Sequence, residues 1–286
     1  MIYSIFTFDV ERDWHSKVAP YKNRSRRPEE SIFSEEYSFE YNKIALPKLL
    51  KMLKGFKIPG VFFITREVAD NESWIVRKIL KHGHEIGCHI HPYSHQNITG
   101  KFRLIERKRD YLAAYSKEKQ KQMIIACKKA IENYVDCDIF RSGRMSVNRQ
   151  TIEILNALNF KIDSSVPKNI SSFLPQRYWE NNFSRFEPFL SGNLVRVPHY
   201  IDPLSLRYSD VRLRISALRL LDILNGPLLC TFFTHTSILG DTEINTGIIW
   251  ENLEKFFRLT KKTMPYIRME DVLGDSYSLF GLPKPT

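Results

Sequence analysis

Short apolar runs alternate with longer amphipathic stretches along most of the 286-residue chain. The runs have the length and the β-branched and aromatic content of buried strands, and the stretches between them repeat apolar residues at helical spacing. The run Gly60–Ile64, for example, follows an amphipathic stretch at Tyr41–Lys54. This alternation is typical of βα units that form a parallel sheet. We therefore predict an α/β protein with a single domain over residues 1–286.

The predicted elements cover most of the chain, and no clear linker or internal repeat divides them. The predicted strands are Ile2–Asp9, Gly60–Ile64, Glu85–His89, Asp138–Phe140, Phe160–Asp163, Leu194–Val197, Leu228–Thr234 and Tyr266–Met269. The predicted helices are Tyr41–Lys54, Ser73–His82, Lys117–Tyr134, Asn148–Leu158, Arg212–Leu224 and Ile248–Lys261.

The composition supports a folded core and narrows the set of partners. Hydrophobic residues make up 43% of the chain, which includes 19 Phe, and the formal net charge is +11. Such a charge is consistent with a solvated basic surface, an anionic substrate or contact with anionic lipid head groups. Because the Lys and Arg residues are scattered and no nucleic-acid-binding motif accompanies them, we do not expect a nucleic-acid partner.

The expected location is the cytoplasm. The chain begins without the basic and then apolar pattern of a signal peptide, and no apolar run approaches the ~20 residues of a membrane helix. The four cysteines form no CxxC pair and are expected to be reduced. The sequence leaves the oligomeric state open.

Two carboxylates and a histidine-rich segment suggest a metal site. Asp9 and Glu11 end the first apolar run, and residues i and i+2 of a strand point the same way. The segment Gly83–His95 contains several histidines. Two imidazoles and one carboxylate make a three-ligand catalytic metal site with a position left for water. The second carboxylate would be free to act as a base, so the pattern predicts a metallohydrolase.

Polar residues suited to catalysis recur where apolar strands end. In parallel α/β barrels the active site lies at the C-terminal face of the strands. The residues at these positions are Asp9, Glu11, His89, Arg141, Asp163 and His235. Their common placement predicts one shared site at that face.

Five segments of the chain follow one another in a specific order and spacing. They are Thr7–Glu11, Gly60–Ile64, Gly83–His89 with the later Ser94 and His95, Phe140–Arg144 and Phe233–His235. In this order they resemble the motifs of the polysaccharide deacetylase family, also known as the NodB-homology or carbohydrate esterase family 4 group. Each match is weak by itself, but their joint order and spacing are specific.

The resemblance implies a distorted (β/α)7 barrel, TIM-barrel-like, with one divalent metal, commonly Zn, with Co, Ni or Fe as alternatives. Asp9 matches the family's catalytic base, and Arg141 the residue that orients it. Glu11 would supply the metal's carboxylate ligand. His235 matches the general acid, and we expect Asp163 to be its neighbouring carboxylate.

The chain departs from the family pattern at two places. Val10 stands where the family usually has a second Asp, so the ligand would be displaced to Glu11. The histidine segment is also longer than usual: we favour His89 and His95 as ligands and keep His91 as an alternative ligand or a substrate contact. Candidate substrate contacts are Tyr93, Gly143 and Arg144.

The expected function is a metal-dependent deacetylase that removes an N-acetyl or O-acetyl group from a sugar in cell-surface glycan biosynthesis. Its substrate is expected to be nucleotide- or lipid-phosphate-linked, with peripheral membrane contact as an option. One alternative is a deformylase or another hydrolase of non-peptide C–N bonds. A different class of protein, a degenerate carbohydrate-binding barrel, is favoured by Val10 but opposed by the presence of Asp9, Arg141 and His235 together.

Overall fold

The structure is a computed structural model, and it describes six ranges of the chain. These are residues 2–13, 38–92, 110–167, 188–199, 228–242 and 245–274, with parts of a helix between residues 212 and 223. Among the helices of these ranges, none combines the length and the apolar character that a membrane span requires.

Eight strands of the described ranges form one sheet in the order β6-β7-β5-β4-β3-β2-β1-β8. The strands are β1 (Ile2–Val10), β2 (Gly60–Thr65), β3 (Glu85–Ile90), β4 (Ile139–Ser142), β5 (Ile162–Pro167), β6 (Phe189–Ser191), β7 (Leu194–His199) and β8 (Leu228–His235). All neighbours pair in parallel except β6 and β7, which are antiparallel. Since β7 and β8 also come within 8 Å of each other, the sheet curls into a distorted barrel of parallel strands.

Helices follow most of the strands, as the α/β pattern requires. They are α1 (Glu40–Phe56), α2 (Arg66–Asn71), α3 (Ser73–Lys81), α4 (Lys117–Glu132), α5 (Arg149–Ala157), α6 (Thr236–Gly240) and α7 (Thr246–Lys261). Short 3-10 turns lie at Leu112–Ala114, Gly143–Met145 and Glu270–Leu273. Two of the helices have side-chain caps at their N-termini: Ser116 caps α4, and Asn148 forms a capping box with Thr151 at α5.

Alternation along the strands divides the buried residues into two cores. In β1, Phe6, Phe8 and Val10 pack into the outer core between sheet and helices. Ile5 instead joins an inner core inside the barrel, where it packs with residues such as Phe63 of β2. Because side chains alternate, Asp9 and the following Glu11 belong to the inner face. Val10, on the opposite face, is buried in apolar surroundings and is not a ligand candidate.

The fold class predicted from the sequence is confirmed, with corrections to particular elements. The expected strand at Tyr266–Met269 is reduced to a single bridge between Ser4 and Tyr266, and the turn Glu270–Leu273 follows it. The elements α2, α6 and β6 were not predicted, since segments of three to six residues are too short to display a periodic pattern. The predicted helix Arg212–Leu224 is described only in part.

Candidate metal centre

Three side chains at the C-terminal end of the barrel could bind one metal ion. Glu11, His89 and His91 each offer a ligand atom, and these atoms lie within 4.8 Å of one another. All three residues are buried, and we call them the metal cluster. His89 lies in β3 and His91 directly after it, so the two imidazoles share the inner face of the barrel.

Helix α1 anchors the chain that carries Glu11. The Nδ2 atom of Asn42 donates to the backbone oxygen of Glu11 at 2.9 Å and to Asp13 Oδ1 at 2.7 Å. The other Asp13 oxygen accepts from the backbone N–H of Tyr41 at 2.9 Å, in the first turn of α1. A carboxylate at this end of a helix is stabilised by the helix dipole. The turn after β1 therefore has a defined position relative to the barrel.

Hydrogen bonds orient both imidazoles with Nε2 toward the site. His89 Nδ1 lies 3.0 Å from the backbone oxygen of Arg141, and His91 Nδ1 lies 3.1 Å from both carboxylate oxygens of Asp110. The Nε2 atom of His91 is 3.0 Å from Glu11 Oε2. The Nε2 atom of His89 is buried without a hydrogen-bond partner in the described residues. An unpaired buried nitrogen is costly, and a metal ion would satisfy it.

The charges of the metal cluster favour a cation. Burial alone would raise the pKa of Glu11, but the adjacent imidazoles, His91 above all, hold it well below its usual value. Burial lowers the pKa of His89 to about 4, so this ring is neutral. For His91 burial acts downward too, yet Glu11 and Asp110 raise its pKa to about 10. The space between these three side chains stabilises a positive charge, and they offer one carboxylate and two imidazoles. This donor set fits a divalent metal such as Zn.

Asp9 is held as a carboxylate beside the metal cluster. Arg141 Nη1 donates to Asp9 Oδ1 at 2.7 Å, and the same guanidinium lies 4.0 Å above the ring of Phe63. Arg141 also donates to the backbone oxygen and hydroxyl of Ser164, at 3.2 and 2.9 Å. Burial would raise the pKa of Asp9, but Arg141 and the neighbouring His89 and His235 lower it below the ordinary value. Asp9 is thus an ionised, oriented carboxylate.

His235 lies at the accessible side of the site. It ends β8, where its Cα pairs with that of Asp9 in the ladder. Its Nε2 atom is 3.4 Å from Glu11 Oε1 and 4.0 Å from Asp9 Oδ2. The side chain is 31% exposed, whereas those of Asp9 and Glu11 are at most 3% exposed. His235 can therefore contact both the buried carboxylates and a ligand that enters from solvent.

The carboxylate of Asp163 pairs with an arginine. Its Oδ2 atom lies 2.6 Å from Arg196 Nε in a fully buried ion pair, and Oδ1 accepts from the backbone and hydroxyl of Ser165. Asp163 and Arg196 are also ladder partners on β5 and β7. The expected pairing of Asp163 with His235 stays a prediction. Burial raises the pKa of Asp163 above its usual value, although Arg196 opposes this.

The turn after β4 borders the metal cluster. A Cβ atom on Gly143 would lie 2.4 Å from the His91 imidazole, so a side chain is excluded there. Arg144 directs Nε to Asp110 at 2.5 Å, and its expected contact with substrate stays a prediction. Tyr93 and His95 lie outside the described residues, and their assigned roles remain predictions. His91, kept as an alternative ligand, occupies the place beside His89 in the metal cluster.

Sequence reasoning overlooked two signals at this site. The rule that placed Asp9 and Glu11 on one face applies equally to His89 and His91, and it would have favoured His91 as a ligand. Asp110 carries no motif, and its contact with His91 depends on a long connection whose course the sequence does not reveal.

Solved structures resemble the chain over nearly its whole length. A candidate polysaccharide deacetylase from Mycobacterium smegmatis superposes with a TM-score of 0.63 at 16% identity, over 100% of this chain and 93% of that one. A candidate polysaccharide deacetylase from Pseudomonas aeruginosa PAO1 gives 0.63 at 14%, over 97% and 91%. The Puue allantoinase gives 0.62 at 13%, over 97% and 90%. At such identities these likenesses establish the fold.

No curated protein matches the chain. A family model described as polysaccharide deacetylase matches residues 38–162, a range that holds β2, β3, β4 and both histidines of the metal cluster. The match agrees with the motifs of the sequence and with the barrel of the structure. Over this range, which is less than half of the chain, the protein is similar to the polysaccharide deacetylase family.

Proposed function

We propose that the protein is a metal-dependent deacetylase that hydrolyses an N-acetyl or O-acetyl group of a sugar. The observation that carries this proposal is the arrangement of a base and an acid around one metal cluster. Asp9, oriented by Arg141, lies on one side, and His235 lies within 4.0 Å of Asp9 at the accessible edge. The family match supports the same reaction.

Glu11, His89 and His91 would hold the metal. When bound, a divalent ion supplies a Lewis acid that polarises the acyl carbonyl and lowers the pKa of water. One carboxylate and two imidazoles suit Zn, and Co, Ni or Fe are the alternatives within this proposal.

Asp9 acts as the general base. One of its oxygens is bound to Arg141, and the other, Oδ2, lies 3.9 Å from His89 Nε2, at the border of the metal cluster. Because Arg141 and the imidazoles hold the pKa of Asp9 below its ordinary value, the carboxylate is ionised at neutral pH. It accepts a proton from the water that attacks the acyl carbon. Arg141 retains the carboxylate's orientation throughout the step.

His235 acts as the general acid. Its exposed position at the edge of the site suits contact with the leaving group of an entering substrate. As the C–N bond breaks, His235 donates a proton to the sugar's amine, while the hydroxyl from water stays on the acyl carbon as carboxylic acid.

The proposed substrate is an N-acylated sugar used in cell-surface glycan synthesis. The matching family and two of the similar solved structures are polysaccharide deacetylases by description. The net charge of +11 favours an anionic carrier, such as a nucleotide- or lipid-phosphate-linked sugar. The four cysteines are buried thiols, which suits the cytoplasmic location that we include in the proposal.

A second candidate is hydrolysis of another non-peptide C–N bond, by deformylation or opening of a cyclic amide. The observation in its favour is the likeness to an allantoinase, whose TM-score of 0.62 is close to those of the two candidate deacetylases. The same base, acid and metal cluster would serve this reaction. A non-catalytic carbohydrate-binding barrel is disfavoured, because it needs neither an oriented Asp9 nor an acid such as His235.

The test combines metal analysis with product analysis. The purified protein is assayed for bound metal and then incubated with N-acetyl and N-formyl aminosugars, free or phosphate-linked, and with a cyclic amide. Acetate release with about one metal per chain supports the deacetylase; formate or ring opening supports the second candidate. Glu11→Ala should lose the metal, and Asp9→Asn should retain it without turnover. A wild-type protein that takes up no metal refutes both hydrolase proposals.

A further inference from the structure

We propose that Asp110 is a positioning residue, which orients His91 as a metal ligand, and that Arg144 holds Asp110 in place. The inference rests on the proposed function, because it requires that the metal cluster bind a metal. Neither the sequence motifs nor the family match assigns a role to Asp110.

Asp110 contacts the Nδ1 side of the His91 ring. Asp110 is completely buried, and its two carboxylate oxygens each lie 3.1 Å from His91 Nδ1. On the other side of the ring, Nε2 lies 3.0 Å from Glu11 Oε2. A carboxylate that accepts the Nδ1 hydrogen selects the tautomer whose Nε2 lone pair is free for a metal. Asp110 therefore determines which ring atom His91 offers.

The Asp110 carboxylate is itself held by an arginine. Arg144 Nε lies 2.5 Å from Asp110 Oδ2. Arg144 and the next residue, Met145, have positive φ angles of 52° and 54°, which non-glycine residues seldom adopt. This turn brings the guanidinium back toward the barrel end, where it neutralises part of the charge on Asp110.

Two hydrogen bonds anchor the segment that carries Asp110. The backbone N–H of Ala113 donates to Ser146 Oγ at 3.1 Å, and Asn148 Nδ2 donates to the backbone oxygen of Ala113 at 3.2 Å. These bonds join the turn Leu112–Ala114 to the chain that follows β4. The segment that follows Asp110 is thus anchored through Ala113, while Arg144 holds the Asp110 carboxylate itself.

The two imidazoles of the metal cluster differ in their support. His89 Nδ1 is bonded to a neutral backbone oxygen of Arg141, whereas His91 Nδ1 is bonded to a carboxylate. A carboxylate partner makes an imidazole a stronger ligand than a carbonyl partner does. We infer that Asp110 strengthens metal binding through His91, and that its removal weakens binding without removing a ligand.

The test measures metal affinity directly. Zn²⁺ affinity is determined by competition with a chromophoric chelator for wild type, Asp110→Asn, Asp110→Ala, Arg144→Gln and Glu85→Gln. Glu85→Gln is the matched control, since it also removes a buried carboxylate, at the opposite end of β3. Both Asp110 variants should bind Zn²⁺ roughly 10–100-fold more weakly than wild type, and Arg144→Gln should be weakened less. The control should keep wild-type affinity.

The visible spectrum of the Co²⁺-substituted proteins provides a readout that lost stability alone would not change. The Asp110 variants should display altered d–d bands, because His91 no longer presents a defined Nε2. If Asp110→Ala does not fold, the near-isosteric Asp110→Asn decides. A folded Asp110→Asn protein with wild-type affinity and spectrum overturns the inference, and unchanged affinity in Arg144→Gln overturns the part given to Arg144. A wild-type protein that binds no metal refutes the proposed function itself.

Discussion

A single methyl group on Gly143 should displace a metal ligand. The Cβ of an alanine there would lie 2.4 Å from Cε1 and Nε2 of His91, while ordinary contacts begin near 3.4 Å. The ring would have to retreat by about 1 Å, but ligand distances in metal sites are defined to about 0.2 Å. Gly143 does not have a positive φ angle, so alanine adds no backbone strain. The predicted effect is therefore specific to the metal cluster.

We expect Gly143→Ala to weaken metal binding by at least roughly 10–100-fold, which is the effect of losing a residue that supports a metal ligand. Turnover should fall accordingly. The control is Gly55→Ala in α1, where no atom lies within 4 Å of the new Cβ. That change should leave metal binding intact and stabilise the helix by up to about 1 kcal/mol. Chelator competition and urea unfolding give both quantities. A folded Gly143→Ala protein with wild-type metal affinity would refute the assignment of His91 as a ligand.

Three further predictions follow from the described contacts. Asp9→Asn should retain metal but lower kcat by about 10²–10⁴-fold, as expected when a general base is lost; unaltered kcat would contradict that role. Asp163→Asn should cost about 3–5 kcal/mol of unfolding free energy, because it removes the carboxylate charge that faces the buried Arg196 guanidinium, while the pH profile of kcat stays unchanged. A shift in the limb of the kcat profile that reports the general acid would instead support the predicted link between Asp163 and His235. Burial raises the pKa of Glu85 from 4.5 to about 7, so the folded state holds this proton more tightly than the unfolded state. The contribution of Glu85 to the free energy of unfolding should therefore fall by about 3 kcal/mol as the pH rises from 4.5 to 7. Urea unfolding at several pH values should show that the Glu85→Gln protein lacks this part of the pH dependence.

The parts of the fold that were predictable are those with a strong local pattern. The run before Asp9 is long, apolar and β-prone, and β1 ends within one residue of the prediction, at Val10. The helix predicted at Lys117–Tyr134 ends two residues earlier, at Glu132. In contrast, the apolar residues near Tyr266 resemble a strand locally, yet they pair with β1 at a single bridge. Pairing partners decide whether such a short run becomes a strand, and they are not encoded nearby.

The candidate site divides in the same way. Strand periodicity alone put Asp9 and Glu11 on one face, and the structure brings them together with His89 and His91. The motif alignment favoured His95 as the second imidazole, and because His95 lies outside the described residues this role stays a prediction. Strand alternation puts His91 on the same face as His89, which is where the described site has it. The described carboxylate of Asp163 pairs with Arg196, and its predicted link to His235 stays a prediction.

The sequence by itself determined the residue types of the chemistry, the strands that carry them and the edge at which they meet. These follow from local rules, since a strand's alternation and a parallel sheet's common C-terminal edge need no tertiary information. Only the tertiary structure decided the partners. It paired Asp163 with Arg196 and linked Asp110 to His91. Such buried contacts join positions distant along the chain, and their energies depend on packing that no local pattern specifies.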